Sequence, residues 1–140
     1  MPRNTRTGSV LEQMVLPALR QGDYLYQTQV GIGQRLGGGQ HVVDVVASDR
    51  KGLSYLISLK WQQVSGTAEQ KVPFEVICLA EAIASSAGAY AKGYVVLGGD
   101  GWKLRAFYTS GLLVNYLSNI EHVTVVSLEQ FVALANKSAL

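Results

Sequence analysis

Two apolar runs in the first half of the chain, "HVVDVVA" at 41–47 and "LSYLISLKW" at 53–61, are rich in β-branched and aromatic residues. The turn-forming "SDRKG" between them predicts an antiparallel hairpin of two buried strands. Upstream, Val10, Leu11, Met14, Val15, Ala18 and Leu19 recur at helical spacing. They predict a helix capped by Thr7 or Ser9 and running to about residue 21, kinked at Pro17 and stopped by Gly22. "YLYQTQV" (24–30) alternates and reads as a strand, whereas "GIGQRLGGGQ" (31–40) has the glycine content of a flexible loop.

The second half reads more simply. Thr67 and Gln70 have the spacing of a capping box and open a long helix to about residue 86, with Pro73 in its first or second turn. "GYVVLG" (93–98) is a strand, "GGDGW" a turn, and 104–108 a short helix. "HVTVV" (122–126) is a further strand, and Ser127 with Gln130 caps a last helix over 128–136. The order helix, three strands, then alternating helix and strand predicts an α/β fold, a central mixed sheet with helices on both faces.

Against this pattern, two charges stand out. Asp44 and Lys60 interrupt runs that are otherwise strand core, and a buried charge requires a partner or a metal. Side chains two apart on a strand share a face, so Ser58, Lys60 and Gln62 project together while Leu59 goes the other way. The simplest reading is an Asp44–Lys60 salt bridge; the other is a reactive site.

An aspartate on one strand followed by x-Lys on the next, in this element order, resembles the PD-(D/E)xK nuclease superfamily. The resemblance covers about residues 9–110 and rests on Asp44, the Ser58-Leu59-Lys60 tripeptide and Glu12 of the first helix, a position also acidic in archaeal Holliday-junction resolvases. "SLKWQQVSGTAEQKVPFEV" and "GGDGWKLRAFY" are also similar to segments of such enzymes. It implies a restriction-endonuclease-like fold and Mg²⁺-dependent hydrolysis of DNA phosphodiesters, with Mn²⁺ as a substitute. Magnesium takes hard oxygen ligands and lowers the pKa of an attacking water. By that resemblance Asp44 and the Leu59 carbonyl bind the metal, Lys60 activates the water or offsets developing charge, and Glu12 binds through water or a second ion. Gln62, sharing the Lys60 face, is either a group that orients a water or a phosphate or a polar residue of an edge strand.

Ser58 departs from the pattern, which has Asp or Glu there. In some restriction enzymes the position is serine and a carboxylate from the following helix replaces it; Glu75 is the first candidate for that role and Glu69 the second. The alternative is a decayed site on a module that binds DNA or a protein. Arg3, Arg6, Gln34, Arg35, Arg50 and Lys51 are the candidate contacts to double-stranded DNA. Cutting both strands takes two sites, so a homodimer or homotetramer is expected.

Composition changes little. At 140 residues, 48% hydrophobic and 16% charged, the chain has the size and balance of a single domain over 1–140. A formal net charge of +2 gives no polyelectrolyte character. The lone Cys78 excludes an internal disulfide and, with no membrane-spanning run or signal-peptide core, points to a cytoplasmic protein. His41 and His122 have no zinc-ligand spacing with Cys78. "GIGQRLGGG" lacks a Walker lysine.

Overall fold

The strands of the hairpin become the centre of a five-stranded mixed sheet. In the computed structural model, which describes the backbone of residues 5–140 and the side chains of residues 7–140, the elements are α1 (Thr5–Val10), a π turn (Leu11–Val15), α2 (Leu16–Gln21), β1 (Leu25–Gln34), β2 (Gln40–Ser48), β3 (Ser54–Trp61), α3 (Ala68–Ala84), β4 (Lys92–Gly98), α4 (Arg105–Thr109), a 3-10 turn (Leu112–Asn115), β5 (Val123–Ser127) and α5 (Leu128–Asn136). Strand order is β1-β2-β3-β4-β5. The first three strands are antiparallel, and β3, β4 and β5 run parallel. The predicted α/β architecture is therefore present.

Each face of the sheet carries its own core. Val45, Ala47, Ile57, Leu59, Tyr94 and Val96 pack under the first helical segments and α5, with Phe131 fully enclosed. Leu56, Val95 and Leu97 face α3, whose Val72, Val76 and Leu79 cover them. β3 lies in the middle and is buried on both sides until its last residues, as parallel pairing requires. Lys60 stands where that burial relaxes.

Prolines shape both long helical segments. The first segment begins at Thr5 in the described backbone, upstream of the expected Thr7 or Ser9 cap. Pro17 lies within a continuous helical run and cannot donate to the turn before it; that turn widens to π geometry, with Leu16 N–H bonded to Leu11 C=O. In α3, Pro73 cannot donate to the Glu69 carbonyl four residues earlier; the Tyr108 hydroxyl donates to that carbonyl instead, at 2.6 Å. The Thr67–Gln70 capping box does not form. Thr67 makes no side-chain cap bond, and Gln62 Oε1 accepts from Ala68 N–H at 3.1 Å in its place. The Ser127–Gln130 box does form, in both directions.

The glycine-rich segment 31–40 is strand for much of its length. β1 continues through Gln34, pairs with β2 out to Gln34↔Gln40, and closes in a tight turn with Arg35 N–H bonded to Gly39 C=O at 2.6 Å. The expectation of a flexible loop fails because ladder pairing across the hairpin supplies the order that glycine lacks locally. No helix among the described residues is long and apolar enough to cross a membrane.

Candidate active site

The site begins where β2 and β3 part. Their pairing ends at Val45↔Ile57. One step further, the Asp44 carboxylate replaces a ladder carbonyl, its Oδ2 accepting from Leu59 N–H at 2.7 Å. At the same level β1 bends: Gln29, opposite Asp44, has φ 52° and reaches Asp44 Oδ1 with its amide at 3.4 Å. A non-glycine residue in the left-handed region costs about 1 kcal/mol or more and persists where the surroundings enforce it. Beyond this bend the hairpin changes sides. Val45 and Ala47 belong to the core under α5, whereas Val43, Val30 and Ile32 pack with α3.

The bent arm carries His41 and Arg35 to α3. Glu75, on the sheet-facing side of that helix, is 2% exposed, with Oε1 at 2.8 Å from His41 Nε2, itself 1% exposed. Its other oxygen, Oε2, lies 3.7 Å from both Lys60 Nζ and an Arg35 guanidinium nitrogen. Those are ion-pair separations, longer than hydrogen bonds, so Oε2 retains free lone pairs. A buried carboxylate with three basic neighbours is a compensated one.

Lys60 thus pairs with Glu75, and among the described residues Asp44 and Lys60 form no salt bridge, so the simple strand-to-strand pair is not what the fold builds. Burial pushes the Asp44 carboxyl above its ordinary value; the Leu59 N–H, the Lys60 charge and the Gln29 amide oppose this, and the Glu75 charge adds to the rise. That last effect puts the two carboxylates within reach of one another's field. A cation between them would relieve both burial and repulsion.

The other expected site residues fall in different places. Ser58 is buried at 4% exposure, in phase with Leu56 and Lys60 on the α3 side of β3. The Gln62 amide donates to Gly101 C=O at 2.8 Å and accepts from Ala68 N–H at the start of α3, a structural role. Gly99 and Gly101 permit that stitch, since a Cβ at either would fall within 2.5 Å of the 62–64 backbone. Glu69 is likewise structural, accepting the N–H groups of Lys103 and Leu104 ahead of α4. Glu12 is exposed on the π turn, whose Leu11 and Val15 pack on the opposite face from α3. It forms no hydrogen bond or ion pair with Asp44, Lys60 or Glu75 among the described residues.

Of the candidate DNA contacts, Arg35 reaches the site and Gln34 is exposed beside it on the arm. Arg50 and Lys51 lie in the β2–β3 turn, at the other end of the hairpin from Lys60, about 20 Å away along the strand. Arg50 there pairs with Asp23 at 2.5 Å. These two cannot share a phosphate with Lys60. Arg3 and the Arg6 side chain lie outside the described residues.

Two members of the site were not anticipated. His41 was readable, being in phase with Val43 on an inward-facing strand position; Gln29 gave no signal, because its role depends on a backbone bend.

Among the described residues no cluster of three or more His, Cys, Asp or Glu is arranged for metal binding. Magnesium takes one or two carboxylates and fills its shell with water and substrate oxygens. Asp44, Glu75 Oε2 and the Leu59 carbonyl, on the strand edge that faces Asp44, are hard oxygen donors of that kind.

Compared with known proteins, the sequence matches the PD-(D/E)XK nuclease superfamily domain over residues 3–139. No curated protein matches it. The crystal structure of the protein of unknown function AF1548 is similar with a TM-score of 0.49 at 12% identity, over 81% of this chain and 54% of that one, so the chain spans about half of that structure's length.

Proposed function

The chain belongs to the PD-(D/E)XK nuclease superfamily, and from that membership and the side chains gathered around Asp44 and Glu75 we propose a Mg²⁺-dependent endonuclease that hydrolyses phosphodiester bonds of double-stranded DNA. The observation that carries this reading is Glu75: buried on α3, one oxygen tied to His41, the other turned toward Lys60. It supplies from the helix the acid that Ser58 lacks.

Asp44, Glu75 and the Leu59 carbonyl would hold the ion. When bound, magnesium neutralises phosphate charge and lowers the pKa of water. Lys60, three-quarters buried beside Glu75, orients the attacking water and offsets the negative charge that develops on the phosphate. Arg35, a third exposed at the rim, holds a flanking phosphate as a fixed cation. Cutting both strands would use two copies of the chain, related by a two-fold axis.

The test is supercoiled plasmid incubated with Mg²⁺, comparing wild type with Asp44→Ala and Lys60→Ala. Nicking that both substitutions abolish supports the enzyme. Salt-sensitive DNA binding with no cleavage in Mg²⁺ or Mn²⁺ would overturn it in favour of a binding module.

A further inference from the structure

The two oxygens of Glu75 are treated differently by the protein. Oε1 is in a hydrogen bond with His41 Nε2 at 2.8 Å, deep in the interior, while among the described residues Oε2 has charge partners at 3.7 Å and no hydrogen bond. A glutamate side chain has several rotatable bonds, and a helix offers it no fixed direction. A strand carboxylate such as Asp44 is pinned by the sheet; one projecting from α3 is not.

We propose that His41 is a positioning residue for the metal site: it ties down Oε1 so that Oε2 is turned toward Lys60. This rests on the reading of Glu75 as a metal ligand given above. His41 itself touches neither substrate nor ion; it acts through Glu75. Its own place is secured by the arm, since Val43 on one side packs into the α3 core and Arg35 beyond the turn meets the same carboxylate. Hydrogen-bond partners behind a ligand set its orientation, and their loss typically weakens metal binding about 10–100-fold.

The experiment is calorimetric titration of the full chain with Mn²⁺ alone, with a melting curve for each variant to establish folding. His41→Leu should weaken Mn²⁺ binding about 10-fold or more. His41→Gln, whose amide can still donate to Oε1, should stay within about threefold of wild type. On a Glu75→Gln background, His41→Leu should add no further loss, because the effect passes through the carboxylate. If His41→Leu fails to fold, His41→Gln against His41→Asn, which lacks the reach, makes the same comparison, with Gln binding and Asn losing affinity. Wild-type affinity in folded His41→Leu, or an equal loss on the Glu75→Gln background, overturns the positioning role alone. A wild-type chain that binds no Mn²⁺ sinks the metal-site reading, and this inference with it.

Discussion

Lys60→Met separates the chemistry of the site from the stability of the fold. Methionine keeps the unbranched stem and removes the charge. At 3.7 Å from Glu75 Oε2, and with an effective dielectric of about 20, the lost attraction is about 4 kcal/mol gross. Taking the ammonium three-quarters out of water costs an amount of similar size, which the variant recovers. Glu75 also keeps His41 at 2.8 Å and Arg35 at 3.7 Å, so no buried charge is orphaned. The net stability change should be within about 1 kcal/mol. The rate is another matter. Removing one preorganised group aimed at transition-state charge costs about 10²–10³ in rate, or about 3–4 kcal/mol. Urea unfolding and initial nicking rates at saturating Mg²⁺ measure the two quantities on one preparation. A folded variant losing less than about tenfold in rate would refute the assignment of Lys60 to the chemistry. A stability loss above about 3 kcal/mol would show instead that Lys60 is the main counter-charge of Glu75.

Asp44→Asn keeps an oxygen for Leu59 N–H but cannot ionise. Because burial raises the Asp44 carboxyl in the folded chain, wild-type stability is full below the unfolded value of 3.8 and declines as pH rises through the folded one. Melting without metal should therefore find Asp44→Asn the more stable at neutral pH, with the gap closing in acid; no gap at any pH would contradict the burial argument. Glu69→Ala strips the acceptor from two backbone N–H groups and should lower stability by about 1–3 kcal/mol, leaving Mn²⁺ affinity in calorimetry unchanged. Gln29→Gly removes the left-handed strain and the amide on Asp44 together. Unfolding should show stability held or raised by up to about 1 kcal/mol, while nicking slows.

What could be read in the sequence was whatever local chemistry decides. The hairpin at 41–47 and 53–61 appears as β2 and β3, the long helix as α3, and the Ser127–Gln130 box with its helix as α5, because alternation and capping are short-range signals. The Asp44 and Lys60 positions were legible for the same reason: a charge in an apolar strand is conspicuous. The glycine segment was not, since its order comes from pairing with β2. Glu69 and Gln62 were equally opaque. Each is a polar residue with a partner in the 98–104 segment, far along the chain, and nothing local distinguishes a cap for another element from a catalytic group. Glu12 lies exposed on the π turn, and helical phase alone does not say which face of a sheet a helix will cover.

The bend at Gln29 and Asp44 accounts for several features together. Where β2 leaves β3, Leu59 loses its ladder partner, and the Asp44 carboxylate accepts that N–H. The departing arm crosses to the α3 side, which is the displacement that brings His41 and Arg35 to Glu75. An acid at position 58 would be held by the sheet itself and would need no arm. With serine there, on the proposed reading, the acid stands on α3 and is directed by His41 and Arg35 of the folded-over hairpin. Two sequence features that look independent, a serine in place of an acid and a histidine ahead of a strand, are on this account two ends of one structural solution.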